Sequence, residues 1–359
     1  MTNSAADRIR FAVVGCGQIS ELHARAYAGS DAAEIFAVCD TDKERLSRRQ
    51  REWGAKKAYT DFEEVLKDSE IEAVELLVPH TLHRDMTVAA LRAKKHVSVQ
   101  KPMAVTISEA REMVEAAREE GMLLKVFENF VFYPPYLKAK ALVAEGAIGE
   151  LITVRMRLTT SNRGGWHVNE SAVLWHIDKT KSGGGILVFD DGYHKYSQAY
   201  DIGGKVEKVY AWIDSWQGLV DSPAFIMWKY QKGERAQYGA YDITFAPNLY
   251  IESDYYAGDD RMELVGTDGV IYLNRCTGLM LREPPLVLYR EGETRAFHSL
   301  RDDWADSFID SSRHFFDCIK DGGDPILSGE TGLAVQRFAT APEISAREHR
   351  EVDPNSIEG

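Results

Sequence analysis

The sequence predicts two domains: an α/β domain on a doubly wound parallel sheet, then an α+β domain whose sheet is antiparallel or mixed. Three observations carry this expectation. The first third alternates apolar strand patterns with helical ones over short connectors. After about residue 128 the pattern turns to short, aromatic-rich strands separated by Gly, Asp, Asn or Pro. At 359 residues the chain also exceeds the roughly 250–300 that one hydrophobic core organises. We divide it into 1–128 and 129–359.

In the first part, strands are expected at 10–14, 35–39, 57–59, 73–78, 96–99 and 123–127. Several are nearly continuous apolar runs, as a parallel sheet covered on both faces requires. Between them, Ile19, Leu22, Ala26 and Tyr27 share a helical face ending at Gly29. Thr106 with Glu109 and Asp61 with Glu64 have capping-box spacing, and Gly54 and Gly121 stand where helices end. Arg45, Arg48, Arg49 and Arg51 read as the solvated face of one helix. In the second part Gly146 and Gly149 mark a helix-to-strand junction and 151–158 alternates like a half-buried strand. Further strands are expected at 209–213, 225–230, 250–255 and 270–273, and helices at 304–320 and 331–347. No internal repeat is visible.

The formal charge is −13, from 43 Lys plus Arg against 56 Asp plus Glu. A surface that acidic, with no basic patch, argues against nucleic-acid or anionic-membrane partners. No apolar run approaches the roughly 20 residues that span a bilayer, and the opening residues lack a leader's apolar stretch. Cys16, Cys39, Cys276 and Cys318 show no paired spacing, which fits reduced thiols. The expected location is the cytoplasm.

Motifs narrow the function. Val14-Gly15-Cys16-Gly17-Gln18-Ile19-Ser20 ends the first strand and opens a helix. Gly15 permits a tight turn, and Gly17 lets backbone N–H groups approach a pyrophosphate at the helix start, with Gln18 and Ile19 alongside. Alone, this is also an ordinary strand–helix turn. The acid Asp40 ends the second strand, where it can accept the ribose hydroxyls of a dinucleotide or cap the next helix. Asp42 adds negative charge and no Arg immediately follows Asp40, so NAD is favoured over NADP. At the end of the fifth strand, Gln100-Lys101-Pro102 projects Lys101 from the ligand-binding edge of the sheet, although a strand-end lysine is often simply solvated.

Two signatures then resemble the glucose–fructose oxidoreductase / inositol dehydrogenase / rhizopine-catabolism (Gfo/Idh/MocA) oxidoreductases. Gln100-Lys101-Pro102 matches the family's Glu-Lys-Pro at two of three positions, and Gly183-Gly184-Gly185 followed by Asp190-Asp191-Gly192-Tyr193-His194 matches its glycine-run signature. Val78-Pro79-His80-Thr81-Leu82-His83 is similar to its cofactor loop, and Gly146–Leu151 to the entry of its second domain. The matches run from about residue 10 to Gly269. The resemblance implies an N-terminal Rossmann domain and a C-terminal domain with a large open, mostly antiparallel sheet, carrying the substrate site and often an oligomer interface. It implies NAD contacts at Gly15, Gly17, Gln18, Ile19, Asp40, Pro79, His80, His83, Gln100 and Lys101, and a catalytic Lys101, Asp190 and His194. The Lys101–Pro102 peptide is expected to be cis. Gln100, Ser197 and Val131 depart from the usual Glu, Asp and Arg and point to a divergent substrate.

Oxidising a secondary alcohol needs a base and a cofactor carbon that accepts hydride. A neutral His194 suits the first task, Asp190 orients it or binds the substrate, and the Lys101 ammonium stabilises alkoxide-like charge. Substrate contacts are expected from Asn129, Trp166, His167, Trp175, His176 and Asp191. Trp166 and Trp175 suit sugar stacking or core filling equally, and no metal site is expected. The leading reading is an NAD-dependent dehydrogenase acting on a sugar, sugar derivative or cyclitol, in a homodimer or homotetramer. The alternatives are a keto-sugar reductase, a glycoside-cleaving enzyme cycling a bound NAD, and a non-catalytic NAD-sensing regulator.

Overall fold

The computed structural model describes residues 8–167, 170–231 and 236–358, with side chains of the helix beginning at Glu170 described from Leu174 onward. The first seven residues, read above for a leader, lie outside the described residues. Two compact units form: residues up to Asn129 with Phe308–Gln336, and Phe130–Ser307 with Arg337–Glu358. A division at residue 128 assigns 308–336 to the second part, whereas this stretch packs with the first. Phe315 and Phe316 are buried there in one apolar cluster with Phe11, Val13, Tyr27 and Val38.

The first unit holds six parallel strands: β1 (Ile9–Val14), β2 (Ala33–Cys39), β3 (Lys57–Tyr59), β4 (Ala73–Leu76), β5 (His96–Gln100) and β6 (Leu124–Phe127). Their order, β3-β2-β1-β4-β5-β6, reverses direction at β1/β4, the switch point outside which open α/β sheets bind ligands. Five helices lie between them: α1 (Ser20–Ala24), α2 (Lys43–Trp53), α3 (Phe62–Lys67), α4 (His83–Arg92) and α5 (Ile107–Glu120). Thr106 and Glu109 close a reciprocal capping box on α5, and Gly54 and Gly121 end α2 and α5 in the left-handed conformation. Asp61 caps α3 by accepting from the N–H of Glu63.

Two expectations need correction. The helical face from Ile19 to Tyr27 is buried at Leu22, Ala26 and Tyr27, but regular helix covers only α1. The N–H groups of Leu22, Ala26 and Tyr27 bond three residues back, so the coil is tighter than an α-helix. Nor are the arginines of α2 one solvated face. Arg49 is buried, pairs with Glu21 and with Glu52 at 2.6 Å, and its guanidinium lies over the Trp53 ring.

The second unit is built on eight strands: β7 (Leu151–Thr160), β8 (Val206–Ile213), β9 (Ala224–Tyr230), β10 (Tyr238–Phe245), β11 (Gly258–Gly266), β12 (Gly269–Leu273), β13 (Leu286–Arg290) and β14 (Glu293–Phe297). The order is β14-β13-β12-β11-β7-β10-β9-β8, and only the β7/β10 pair is parallel. Alternation along β7 buries Val154, Met156 and Leu158 and exposes Arg155 and Arg157, the period of a sheet with one covered face. The stretch 250–255 is not a strand. Its backbone bonds singly, Ile251 N–H to Arg163 and Glu252 C=O to Leu279, instead of joining a ladder. Helices α6 (Pro134–Ala144), α7 (Glu170–Ile177), α8 (Lys179–Ser182) and α9 (Gly192–Gly203) belong to this unit, and α10 (Trp304–Asp321) and α11 (Gly329–Glu348) carry the chain into and out of the first. Among the described residues no helix is long and apolar enough to cross a membrane.

Candidate active site

The glycine loop follows β1. Gly15 has φ +91°, and a Cβ there would stand 2.2 Å from the carbonyl oxygen of Leu77, so backbone packing demands glycine. Gly17 differs: a Cβ on it would meet no protein atom within 4 Å. Nothing in the fold forbids a side chain at Gly17, whereas a phosphate approaching the backbone would. Ser20 closes the loop by donating from Oγ to the Gly17 carbonyl at 2.6 Å. Between the glycines, Cys16 is buried, and burial reinforced by Asp40 pushes its thiol up to about 12. That removes it as a nucleophile.

Asp40 ends β2 beside this loop. One carboxylate oxygen accepts the N–H of Cys16 and the other the N–H of Asp42, both at 2.8 Å. A carboxylate has about four acceptor sites, so capacity for a ribose diol remains. The cap of α2 is Asp42, which accepts from Glu44 and Arg45. Arg45 also reaches Asp40, with Nη1 3.6 Å from Oδ2. The absence of an arginine directly after Asp40 therefore hides one that the first turn of α2 returns to it. Gln18 is exposed and Ile19 half-buried. These residues fit a dinucleotide.

A second loop follows β4. Pro79 is exposed, His80 is buried, and His83 is wholly buried. The His83 ring bridges two segments, with Nδ1 2.9 Å from the Pro102 carbonyl and Nε2 2.9 Å from that of Val78. It therefore joins the loop to the Lys101–Pro102 turn through backbone. That peptide is cis, as the resemblance implies. Lys101 is half-buried, and its N–H donates to Gln100 Oε1 at 2.8 Å. Asn129, also in this unit, is buried.

In the second unit, the glycine run leads into a π-helical turn, Ile186–Asp191, which continues directly as α9. Gly183 has φ +96° and ends α8. A Cβ on Gly184 would strike the Phe189 ring, and one on Gly185 would lie 2.0 Å from Asp221 Oδ2. The space beside Gly184 and Gly185 is thus filled by the protein's own side chains. Asp221 accepts the N–H groups of Leu187 at 2.9 Å and Val188 at 2.6 Å, and Glu343 accepts that of Gly185 at 2.9 Å. Burial raises the Asp221 carboxyl above its usual range, and those two N–H groups oppose the rise. Asp190 and His194 straddle the start of α9, and both are buried. Asp190 Oδ2 lies 3.5 Å from His176 Nε2, and the His176 ring packs on Trp175 with centroids 4.1 Å apart. His194 stacks on Phe130 at 4.1 Å. Asp191 is half-buried and His167 exposed. Trp166 lies edge-on to Tyr255 and Tyr256. Among the described residues no group of three His, Cys, Asp or Glu could hold a metal ion.

Sequence reasoning missed the buried polar residues behind these groups. Glu75 and Lys125 interrupt the apolar strands β4 and β6, and His23 and Asp221 are buried with carboxylate or backbone partners. A charge inside a continuous apolar strand was the available signal.

Comparison with known proteins bears on these groups. Residues 9–128 match the family described as "Oxidoreductase family, NAD-binding Rossmann fold", and residues 136–272 match the "GFO/IDH/MocA C-terminal domain". The chain is 26% identical to the D-apiose dehydrogenase of Paraburkholderia graminis over 99% of its length and 92% of that protein. It is 26% identical to the myo-inositol 2-dehydrogenase of Thermotoga maritima, over 98% of this chain and all of that one. An Agrobacterium radiobacter oxidoreductase, solved with NAD+, L-tartaric acid and magnesium, superposes with a TM-score of 0.85 at 23% identity, covering 98% of this chain and 99% of that one.

Proposed function

The chain belongs to the Gfo/Idh/MocA oxidoreductase family of NAD-binding Rossmann proteins, and from that premise we propose that Lys101, Asp190 and His194 carry its dehydrogenase chemistry on a secondary hydroxyl. It is an NAD-dependent oxidoreductase of sugars, sugar derivatives or cyclitols, like its relatives named as D-apiose and inositol dehydrogenases. When bound, NAD supplies the carbon that accepts the hydride.

The observation that carries the assignment is the acid–histidine group at the start of α9, where buried Asp190 lies against His176 and buried His194 against Phe130. His194 takes the hydroxyl proton, and stacking on Phe130 holds its ring in one plane. Asp190 binds a substrate hydroxyl or steers the base, and His176 holds it. The Lys101 ammonium stabilises the negative charge that grows on the alcohol oxygen. Gly15 and Gly17 receive the pyrophosphate with Gln18 and Ile19, Asp40 the adenosine ribose, and Pro79 and His80 line the cofactor loop. His83 and Gln100 act through backbone. Asn129, Trp166, His167, Trp175 and Asp191 are assigned to the substrate. NAD is preferred over NADP, the partner is a small polyhydroxylated molecule rather than nucleic acid or membrane, and the location is the cytoplasm.

The outer sheet face supports a homo-oligomer, a dimer or tetramer. Register places Trp212 opposite Phe225 and Tyr210 opposite Met227 on one face, and Trp212 and Phe225 are 56% and 55% exposed. Such an apolar face on an open sheet is unusual for a monomer.

The decisive experiment follows NADH formation against aldoses, uronates, disaccharides and inositols, with Lys101→Ala in parallel. Turnover should fall by on the order of 10²–10⁴ while NAD affinity holds. Near-normal turnover removes Lys101 from the mechanism.

A further inference from the structure

Glu75 sits in the middle of β4, whose other residues are apolar, and it is 2% exposed. A carboxylate there is costly unless donors meet it. Two do. Tyr27 donates its hydroxyl to Oε2 at 3.0 Å, and His23 Nδ1 lies 2.9 Å from Oε1. His23 is fully buried, its ring packed 4.0 Å from that of Phe127 and edge-on to Phe308. Its other nitrogen, Nε2, faces the side-chain nitrogen of Gln100 at 3.2 Å, and Gln100 Oε1 takes the N–H of Lys101 at 2.8 Å.

The polarity of this chain follows from one group. A backbone N–H only donates, so the carbonyl end of Gln100 must face Lys101 and its NH2 end must face His23. The His23 Nε2 then has to accept, which leaves its proton on Nδ1, pointing at Glu75. Every donor meets an acceptor only in this arrangement. A glutamate at position 100, the usual residue in the signature, would need a donor from His23 instead and would put carboxylates on both sides of one imidazole.

We propose that His23 and Glu75 are positioning residues for Lys101: the carboxylate sets the imidazole tautomer, the imidazole sets the Gln100 amide, and the amide holds the Lys101 backbone. The negative charge that the family signature carries beside the lysine stands here one imidazole further back, on β4. This rests on the reading of Lys101 as the alkoxide-stabilising group, and it predicts an effect on turnover rather than on cofactor or substrate affinity.

Imidazole spectra and steady-state kinetics of the wild type and its variants test it. In the wild type, nitrogen-15 NMR of the imidazoles should show His23 as the Nδ1–H tautomer, its signal identified by loss in His23→Gln. Glu75→Met removes the acceptor and should lower kcat about tenfold, with KM and NAD affinity little changed. Adding Gln100→Glu to Glu75→Met restores one carboxylate on the other side of the ring. His23 should then become the Nε2–H tautomer and kcat should recover to within a few-fold of wild type. A wild-type Nε2–H tautomer, an unchanged kcat in Glu75→Met, or a double variant no better than Glu75→Met overturns the proposal. The wild-type spectrum decides the tautomer even if Glu75→Met fails to fold. Normal turnover in Lys101→Ala, with His23 still Nδ1–H, would instead overturn the catalytic reading of Lys101 and with it the purpose of the chain.

Discussion

The carboxylate of Asp40 accepts the backbone N–H of Cys16 at 2.8 Å, so the residue expected to read the cofactor ribose also braces the phosphate loop. Arg45 is shared between two acids, with Nη1 3.6 Å from the same Asp40 oxygen and Nη2 donating to Asp42 at 3.1 Å. Removing Asp40 leaves the guanidinium held by Asp42 alone, with its Nη1 turned to the ribose site and suited to a 2′-phosphate. Asp40→Ser alone should therefore raise the NADP-to-NAD ratio of kcat/KM by on the order of tenfold, about 1.4 kcal/mol. Adding Arg45→Ala should cancel the gain. Steady-state kinetics with both cofactors check this, and an unchanged ratio in Asp40→Ser would mean the ribose is read elsewhere.

Asp190 and His176 form the second relationship with a measurable consequence. Their 3.5 Å contact joins α7 to the start of α9. Removing an imidazole that lies beside a buried carboxylate costs about 1–3 kcal/mol. His176→Ala should lower kcat/KM roughly tenfold, less than His194→Ala, which removes the proposed base and should cost on the order of 10²–10⁴ in kcat. A larger loss in His176→Ala than in His194→Ala would reverse the assignment of base and holder.

Much of this architecture was legible in local patterns. The apolar runs announced β1, β2, β4, β5 and β6, and turn residues bounded β7, β8, β9 and β12 of the second unit, but β10, β11, β13 and β14 were not among the expected strands. Thr106 and Glu109 announced their cap, and the glycines their turns. What stayed hidden depends on partners far along the chain. Arg45 and Arg49 look alike in sequence, yet Glu21 and Glu52 draw one of them into a buried site. The 250–255 stretch alternates like a strand but finds only single bridges to Arg163 and Gly278. The buried line from Tyr27 to Lys101 joins three segments, the coil of α1, β4 and the end of β5, and no local period reveals it. Glu75 and Lys125 did break apolar strands, a signal that marks buried charge without naming its partner.

Gly185 and Asp221 are packed so closely that a single methyl group tests the clamp. The Asp221 carboxylate takes two N–H groups of the π-helical turn and occupies the space of a Gly185 side chain. Gly185→Ala should displace it, free those donors and destabilise the protein by about 1–3 kcal/mol. Asp221→Ser should cost a similar amount, and the double variant less than the sum, because the serine leaves room for the methyl. Denaturant unfolding of the four proteins measures the coupling, and strict additivity would show that the two residues do not compete for space.

Lys125 gives the stability a pH dependence of predictable sign. Its side chain is fully buried on β6, donating to the Ser311 carbonyl and, at 2.8 Å, to the Ser311 hydroxyl. Burial lowers its pKa from 10.5 to about 7, against the upward pull of Glu75 and Cys318. Between those two values the unfolded chain holds a proton that the folded chain has released, so stability rises with pH across this window, by up to about 1.4 kcal/mol per pH unit. Below the lower value both states are protonated, and the cost of the buried ammonium is fully present. That is the reverse of a lysine paired in a surface salt bridge, whose contribution is lost as pH rises. Lys125→Met keeps the length of the side chain and removes the charge, so its stability relative to wild type should be greatest near pH 6 and shrink steadily toward pH 10. Denaturant unfolding of both proteins across that range measures the difference. An offset that stays constant with pH would mean that Lys125 keeps one protonation state in the folded protein throughout, and that its ammonium is compensated within the core.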